Sequence, residues 1–174
     1  LFNKKGVSIA VIGVTTTDTA HSTKMDNVKG LAFIDPEKIL PNIISEVRAK
    51  GAKLIVVLSH LGLDADKSLA SATTGIGVII GGHSHTAVEP PVYLGDTVIV
   101  QAGCYGIYLG ALDLEVDPAS GRVISYTKQA ELKTIAAGPR IPFNQNVAAI
   151  VERYDEKIRA EFNKVIGEAA VDLK

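Results

Sequence analysis

The chain has 174 residues, of which 47% are hydrophobic and 21% are charged, and its formal net charge is −1. A chain of this size and composition normally forms a globular domain with a sizeable core. Lysines and arginines are spread along the chain without a basic block, and no apolar run approaches the roughly 20 residues of a membrane helix. We therefore expect no nucleic acid polymer as a partner and no membrane span.

The first half of the chain predicts a strand, a helix and a second strand. Residues 6–14 form an apolar run bounded by glycine, which is typical of a buried strand. Asp35 and Pro36 are typical of a helix start, and Lys50-Gly51 of a helix end. The strand 54–58 follows at once. This order predicts an α/β fold in layers.

The second half predicts shorter elements and then a long helix. A short helix is expected after His60, with Asp64 as its N-cap. The further predictions are strands at 75–80 and 97–101, a hairpin of 109–116 with 122–126, and an amphipathic helix from Pro142 to Gly167. The predicted apolar stripe of that helix consists of Val147, Ile150, Val151, Tyr154, Ile158, Phe162 and Val165.

Three of the four histidines follow predicted strands. His60 comes directly after the strand 54–58, while His83 and His85 follow the strand 75–80 and a double glycine. Ligands of α/β sheets gather at the carboxyl ends of the strands, so these side chains are expected to lie close together. Imidazole favours zinc, iron and similar transition metals. The pattern therefore predicts a metal site.

The spacing of His83 and His85 suits one ion or two neighbouring ions. In an extended segment, residues i and i+2 share a face, with Cβ atoms roughly 7 Å apart. Two-metal hydrolytic sites hold their ions about 3.5–4 Å apart. Since metal ligation needs neutral imidazole, binding is expected to weaken below about pH 6.

A structural interpretation of the same histidines remains open. His60 can be a hydrogen-bonded residue at a strand end, and His83-Ser84-His85 can be a polar turn. His21 has no other ligand-type residue in a pattern around it, and we interpret it as a solvated loop residue. Cys104, the single cysteine, lies in a predicted glycine-flanked loop, where a packing role is favoured.

Two motifs carry a resemblance to a known family. Residues 57–62, VLSHLG, and residues 79–86, IIGGHSHT, resemble the two downstream metal motifs of calcineurin-like metallophosphoesterases, and more narrowly those of the bacterial 5′-nucleotidase family. The segments VIGVTTTDT, GLAFIDP and QAGCYGIYLGALDLEVD are similar to the family in the same order. The resemblance implies a partial metallophosphoesterase-type layered β-sandwich flanked by helices.

The resemblance also implies roles for the three histidines. His60 and His83 would bind the second metal and His85 the first, with two divalent ions such as zinc or manganese in the intact protein. None of the three would be a catalytic acid or nucleophile. The Asp-x-His and Gly-Asn-His motifs of the family do not occur in the chain. We therefore expect this chain to be inactive by itself.

The domain organisation implied by the resemblance has three parts. Residues 1–141 would form the second half of a metallophosphoesterase domain, residues 142–166 a connector helix, and residues 167–174 the start of a C-terminal domain. The N-terminal half and the C-terminal domain would be the missing partners.

The implied function is that of a two-metal-dependent hydrolase of phosphate esters, with a 5′-nucleotidase favoured. The substrate would be a nucleotide or another phosphate ester. The family implies a periplasmic, cell-surface or secreted location. The alternatives are a 2′,3′-cyclic nucleotide phosphodiesterase, a thiosulfohydrolase relative, or a noncatalytic metal-binding module.

Overall fold

A computed structural model of the chain describes residues 1–135, 144–168 and 170, without the side chains of residues 127–129. The chain forms two compact units, Leu1–Ile135 and Ala136–Lys174. The predicted division at residue 141 stays a prediction, because residues 136–143 lie outside the described residues.

The first unit contains eight strands and four helices. In chain order they are β1 (Phe2–Lys4), β2 (Val7–Thr15), α1 (Thr19–Ser22), α2 (Met25–Val28), α3 (Pro36–Ala49), β3 (Leu54–His60), α4 (Leu63–Ala72), β4 (Val78–Ile80), β5 (Val92–Leu94), β6 (Thr97–Val100), β7 (Tyr108–Val116) and β8 (Val123–Thr134). Four elements of this unit were not predicted from the sequence. They are β1, β5, α1 and α2, and each has only three or four residues. Such lengths give too little periodicity for detection in sequence.

Six strands form one mixed sheet in the order β1-β2-β3-β4-β6-β5. The four central strands β2, β3, β4 and β6 are parallel, and the edge strands β1 and β5 are antiparallel to their neighbours. β7 and β8 pair as a separate antiparallel hairpin. The predicted α/β fold in layers is thereby confirmed. The hairpin is longer than predicted, because β8 continues to Thr134.

Helix α3 begins as its sequence predicts. The Asp35 carboxylate accepts a hydrogen bond from the Glu37 backbone N–H at 3.1 Å, and Pro36 occupies the first turn. Helix α4 differs, because Gly62 and not Asp64 is its N-cap. Gly62 has φ +97°, a conformation that glycine adopts at little cost. The chain therefore turns immediately after β3, and the helix begins before Asp64.

β4 is also shorter than predicted, since it begins at Val78 and not at residue 75. Gly75 has φ +88°, which lies outside the β region of backbone conformations. The chain consequently enters the sheet only after this turn.

The core lies between one face of the sheet and the helices α3 and α4. It contains fully or almost fully buried apolar side chains from both layers: Ala10, Ile12, Leu40, Ile44, Ala52, Ile55, Val57, Leu69, Ile76, Ile79 and Ile99. Successive residues of a strand point to opposite faces. The inward residues of β2 and β3 are therefore the even-numbered residues 10 and 12 and the odd-numbered residues 55 and 57.

The opposite face of the sheet is partly open. Val11, Leu58 and Ile80 are between 43% and 47% exposed on it. Towards β6, the hairpin and the sheet enclose a cavity of about 450 Å³ lined by Val56 and Val100 on the sheet side and by Leu112 and Leu132 on the hairpin side, among others. The hairpin thus covers only the part of this face that is near β4 and β6.

The described part of the second unit contains one helix, α5 (Gln145–Phe162). Asn144 caps it, accepting hydrogen bonds from the backbone N–H groups of Asn146 and Val147. The predicted end at Gly167 is wrong, because the helix stops at Phe162 and Val165 lies beyond it. The predicted start, Pro142, lies outside the described residues. The six stripe residues within the helix are each more than half exposed.

Within the ranges 1–135 and 144–168, no helix combines the length and the apolar character needed to cross a membrane.

Helix α4 depends on Leu69, which has no exposed surface. We expect Leu69→Ala to lower the free energy of unfolding by about 2–5 kcal/mol, because it removes buried methyl groups and leaves a cavity. The matched control Leu58→Ala changes a leucine that is 47% exposed on the open face, and it should cost less than about 1 kcal/mol. Urea denaturation of the three proteins measures both values. Equal losses would contradict this description of the core.

Candidate metal centre

The parallel pairing of β3 and β4 brings two of the predicted ligands together. Leu58 pairs with Ile80 in the sheet. β3 continues from Leu58 to His60, and the chain after Ile80 turns towards His83, so both histidines lie at the carboxyl ends of these paired strands. The His60 and His83 rings meet edge to face, with ring centroids 4.9 Å apart and an interplanar angle of 64°. Both residues are exposed. The first part of the predicted constellation is therefore a pair of adjacent, accessible imidazoles.

The backbone at His83 and His85 differs from the extended conformation that was assumed from the sequence. The segment is not extended, because His83 has φ +73° and His85 has φ +57°. This left-handed conformation costs a non-glycine residue roughly 1–2 kcal/mol. The His85 ring lies against the Tyr105 ring, with centroids 5.2 Å apart. The convergence of His85 with the other two imidazoles stays a prediction.

The turn that carries His83 and His85 is held by a buried side chain from the next strand along the sheet. Gln101 directly follows β6 and is 2% exposed. Its Oε1 accepts hydrogen bonds from Ser84 Oγ at 3.0 Å and from the Thr86 backbone N–H at 2.7 Å. Its Nε2 donates to the Gly82 carbonyl oxygen at 3.2 Å. The Gln101 amide therefore spans the whole turn from residue 82 to residue 86.

The same turn is tied to the start of α4. Ser84 Oγ accepts a hydrogen bond from the Leu63 backbone N–H at 3.1 Å. A Cβ atom on Gly62 would lie 3.6 Å from the His83 ring and 3.5 Å from Ser84 Cβ. The turns that follow β3 and β4 are thus in direct contact.

A buried carboxyl group lies beneath both turns. Asp66, in the first turn of α4, has no exposed surface. Its Oδ1 accepts a hydrogen bond from Ser59 Oγ, which in turn accepts one from the Leu61 backbone N–H at 3.2 Å. These bonds hold Ser59 and Leu61, the residues directly before and after His60. Asp66 therefore fixes the end of β3.

The second oxygen of Asp66 points at the double glycine. A Cβ atom on Gly81 would lie only 2.5 Å from Asp66 Oδ2 and 3.1 Å from Gln101 Nε2. Within the part of the chain that the structure describes, Asp66 Oδ2 has no hydrogen-bond partner. Burial raises the pKa of Asp66 above its ordinary value, and the hydrogen bond from Ser59 opposes that rise.

The donor set fits part of a metal site. His60 and His83 present two nitrogen ligands close together, whereas structural zinc sites have four ligands and catalytic ones three plus water. Among residues 1–135 and the described residues beyond 143, no group of three histidine, cysteine, aspartate or glutamate side chains is arranged to hold one ion. The described residues alone therefore do not complete a centre.

The other residues considered from the sequence lie apart from this pair. His21 is exposed in the last turn of the short helix α1, not in a loop. Cys104 is a free, half-buried cysteine in the turn before β7. Sequence reasoning missed Gln101 and Asp66 as supports of the site. A signal existed for Gln101, since it is a polar residue at the end of the predicted strand 97–101.

Comparisons with known proteins show which class of enzymes the chain resembles. The relatives of the chain include 5′-nucleotidases and metallophosphoesterases, so the resemblance seen in the motifs is confirmed, and the chain is homologous to part of these enzymes. No family model matches the chain. The class therefore rests on individual relatives and on the fold.

Three comparisons illustrate this class. The chain is 30% identical over 183 residues to endonuclease YhcR of Bacillus subtilis, an alignment covering 100% of the chain and 15% of YhcR. A 5′-nucleotidase precursor from Thermus thermophilus superimposes with a TM-score of 0.75 and 31% identity, covering 98% of the chain and 36% of that protein. The sulfate thiohydrolase SoxB of Thermus thermophilus gives a TM-score of 0.76 and 26% identity, covering 91% and 28%. The chain thus spans only a minor part of each protein.

Asp66 gives the site a measurable pH dependence. Since burial raises its folded-state pKa above the unfolded value, its contribution to stability is complete below the unfolded pKa and is lost as the pH rises through the folded pKa. Asp66→Asn cannot ionise. As the pH rises above about 4, we expect the variant to become more stable relative to the unchanged protein. The change should be about 1.4 kcal/mol for each unit by which the folded-state pKa of Asp66 exceeds its unfolded-state pKa.

Urea denaturation at a series of pH values measures this difference. Asp64→Asn is the matched control, because Asp64 lies in the same helical turn with a fully exposed side chain. The control removes a surface ion pair with Lys67 at 3.5 Å, worth about 1 kcal/mol at most, and should not gain in stability over the unchanged protein as the pH rises. If the unfolding free energies of the unchanged protein and of Asp66→Asn changed with pH in parallel, the raised pKa of Asp66 would be contradicted.

Proposed function

We propose that this chain is part of a two-metal-dependent hydrolase of phosphate esters, and specifically of a 5′-nucleotidase. The observation that carries the proposal is the contact of the His60 and His83 rings at the carboxyl ends of neighbouring parallel strands. Homology to 5′-nucleotidases and metallophosphoesterases supports the same reaction class.

In this proposal the three histidines are metal ligands. His60 and His83 would bind the same ion, because their rings are adjacent. His85 would bind a neighbouring ion, because it follows in the same turn but its ring lies against Tyr105. The chemistry that two divalent ions supply in hydrolases is activation of water and stabilisation of charge on the phosphoryl group. The residues of this chain contribute by holding neutral ring nitrogens in fixed positions.

The charge of these ligands requires further groups. Neutral imidazoles leave the positive charge of two divalent ions uncompensated at short separation, and carboxylates normally provide that compensation. We propose that such ligands come from outside the described residues. The 174 residues by themselves are therefore expected to be inactive.

A nucleotide is the proposed substrate, and the exported compartments are the proposed location. The Thermus relative is named a 5′-nucleotidase precursor, and that name supports both parts of the proposal. The location would be the periplasm, the cell surface or the medium.

A sulfate thiohydrolase is the second candidate. The structural similarity to SoxB is as high as that to the 5′-nucleotidase precursor, with TM-scores of 0.76 and 0.75. The two candidates share the fold and differ in the group that is hydrolysed, so substrate assays separate them.

A hybrid enzyme tests the part of the proposal in which this chain supplies metal ligands, because the rest of the hybrid comes from a 5′-nucleotidase. The matching segment of the Thermus 5′-nucleotidase, 36% of that protein, is replaced by this chain. With manganese or zinc present, we expect the hybrid to hydrolyse AMP. Loss of a residue that only orients a metal ligand typically lowers activity by about 10–100-fold. His60→Ala should lower the rate further, because it removes a ligand itself.

His21→Ala is the matched control, since it also removes an exposed imidazole but lies in α1. It should leave the rate unchanged. The assay also includes a thiosulfate ester and a polynucleotide, the latter because one relative is named an endonuclease. A folded hybrid that hydrolyses only the thiosulfate ester would favour the second candidate. AMP hydrolysis by the 174 residues alone would contradict the incomplete ligand set.

A further inference from the structure

We infer that Gln101 is a positioning residue, whose side chain fixes the turn 82–86 so that the His83 ring remains against His60. This inference rests on the proposed function for its catalytic meaning, since His83 is a ligand only in that proposal. The positional role itself is a property of the chain without metal.

The hydrogen bonds of Gln101 are specific to this turn. Its amide oxygen accepts from Ser84 Oγ and the Thr86 N–H, and its amide nitrogen donates to the Gly82 carbonyl. The backbone partners determine the orientation of the amide, because an N–H needs an acceptor and a carbonyl needs a donor. Residues on both sides of His83 and His85 are thus held by one side chain.

The turn needs such support because it is strained. Both His83 and His85 have left-handed backbone conformations, which residues with a Cβ atom adopt only at a cost in free energy. A single hydrogen bond contributes little to stability, but a buried polar group left without its partner is costly. Three bonds from a buried amide can therefore stabilise a turn that its own backbone preferences disfavour.

The surrounding backbone bonds make the effect local. Downstream of the turn, the Gly103 N–H donates to the Thr86 carbonyl at 3.1 Å and the Val88 N–H donates to the Gln101 carbonyl at 2.9 Å. These bonds do not involve the Gln101 side chain. Loss of the amide should consequently loosen residues 82–85, where the bond from the Leu63 N–H to Ser84 Oγ remains, while β6 and the chain from the Thr86 carbonyl onward keep their places.

A direct contact between Gln101 and a substrate is not needed for this role. The residue is 2% exposed and its amide is already bonded to the turn. Glycine at position 81 leaves room for the Gln101 amide, because a Cβ atom at that position would lie 3.1 Å from Gln101 Nε2. Gln101 therefore acts on the site through His83.

Nuclear magnetic resonance of the 174-residue chain without metal tests the inference. The unchanged chain should show a nuclear Overhauser effect between the His60 and His83 rings, whose centroids are 4.9 Å apart. Gln101→Met keeps a side chain of similar length but removes the amide, and it should abolish this effect. Gln101→Asn places its amide one methylene further from the turn and should weaken it. This second variant decides the question if the first does not fold.

Thr97→Val is the matched control. Thr97 is also buried in β6, at 4% exposure, and its hydroxyl donates to the Ile76 carbonyl, away from the turn. This variant loses a buried hydrogen bond but should retain the contact between the two rings. Retention of the effect in the Gln101 variants, or its equal loss in Thr97→Val, would overturn the inference.

Metal affinity in the hybrid enzyme provides the second measurement. Gln101→Met should weaken manganese binding by about 10–100-fold, as expected for a group that orients a ligand. Thr97→Val should bind manganese as the unchanged hybrid does. If the unchanged hybrid binds no metal, the proposed function fails, whereas the ring contact measured without metal still decides the role of Gln101.

Discussion

The parallel pairing of β3 with β4 is the constraint on which the site depends. Both strands run in the same direction with Leu58 beside Ile80, so the chain leaves the sheet at the same edge in both cases. Helices α3 and α4 both pack against the inward residues of the sheet, as expected for right-handed crossovers in a sheet whose central strands follow chain order. The helices then support the strands from below, and the strand ends remain free to present His60 and His83.

Glycine determines how closely the two turns approach. A Cβ atom on Gly82 would lie 3.2 Å from the Ser59 carbonyl oxygen and 3.3 Å from His60 Nδ1, which is tighter than ordinary van der Waals contact. Gly81 leaves room for the carboxyl group of Asp66 in the same way. The double glycine therefore acts through contact between neighbouring turns as much as through backbone freedom. The apolar strands alone would not bring the rings this close.

Sequence patterns predicted the layers of the fold and the proximity of His60 and His83. Asp35-Pro36 predicted the start of α3 correctly because capping is a local interaction. The arrangement of His85 was not predictable from spacing, because its backbone is left-handed and lies in a turn that is hydrogen-bonded to Gln101, which is remote in sequence. The same holds for Asp66, whose position below Gly81 follows from how α4 packs. Local signals were reliable where local physics decides, and tertiary contacts decided the rest.

The open face of the sheet and the side chain of His60 are on the same side. Since side chains alternate along β3, His60 shares its face with Leu58 and Val56. Leu58 and its neighbour Ile80 are nearly half exposed there, although β-branched and aliphatic residues in a sheet normally gain stability by burial. Under the proposed function, ligands that complete the centre must approach His60 from this side. A chain segment that brings carboxylates to the metals would pass over the same apolar surface, so metal binding and burial of that surface would favour the same arrangement.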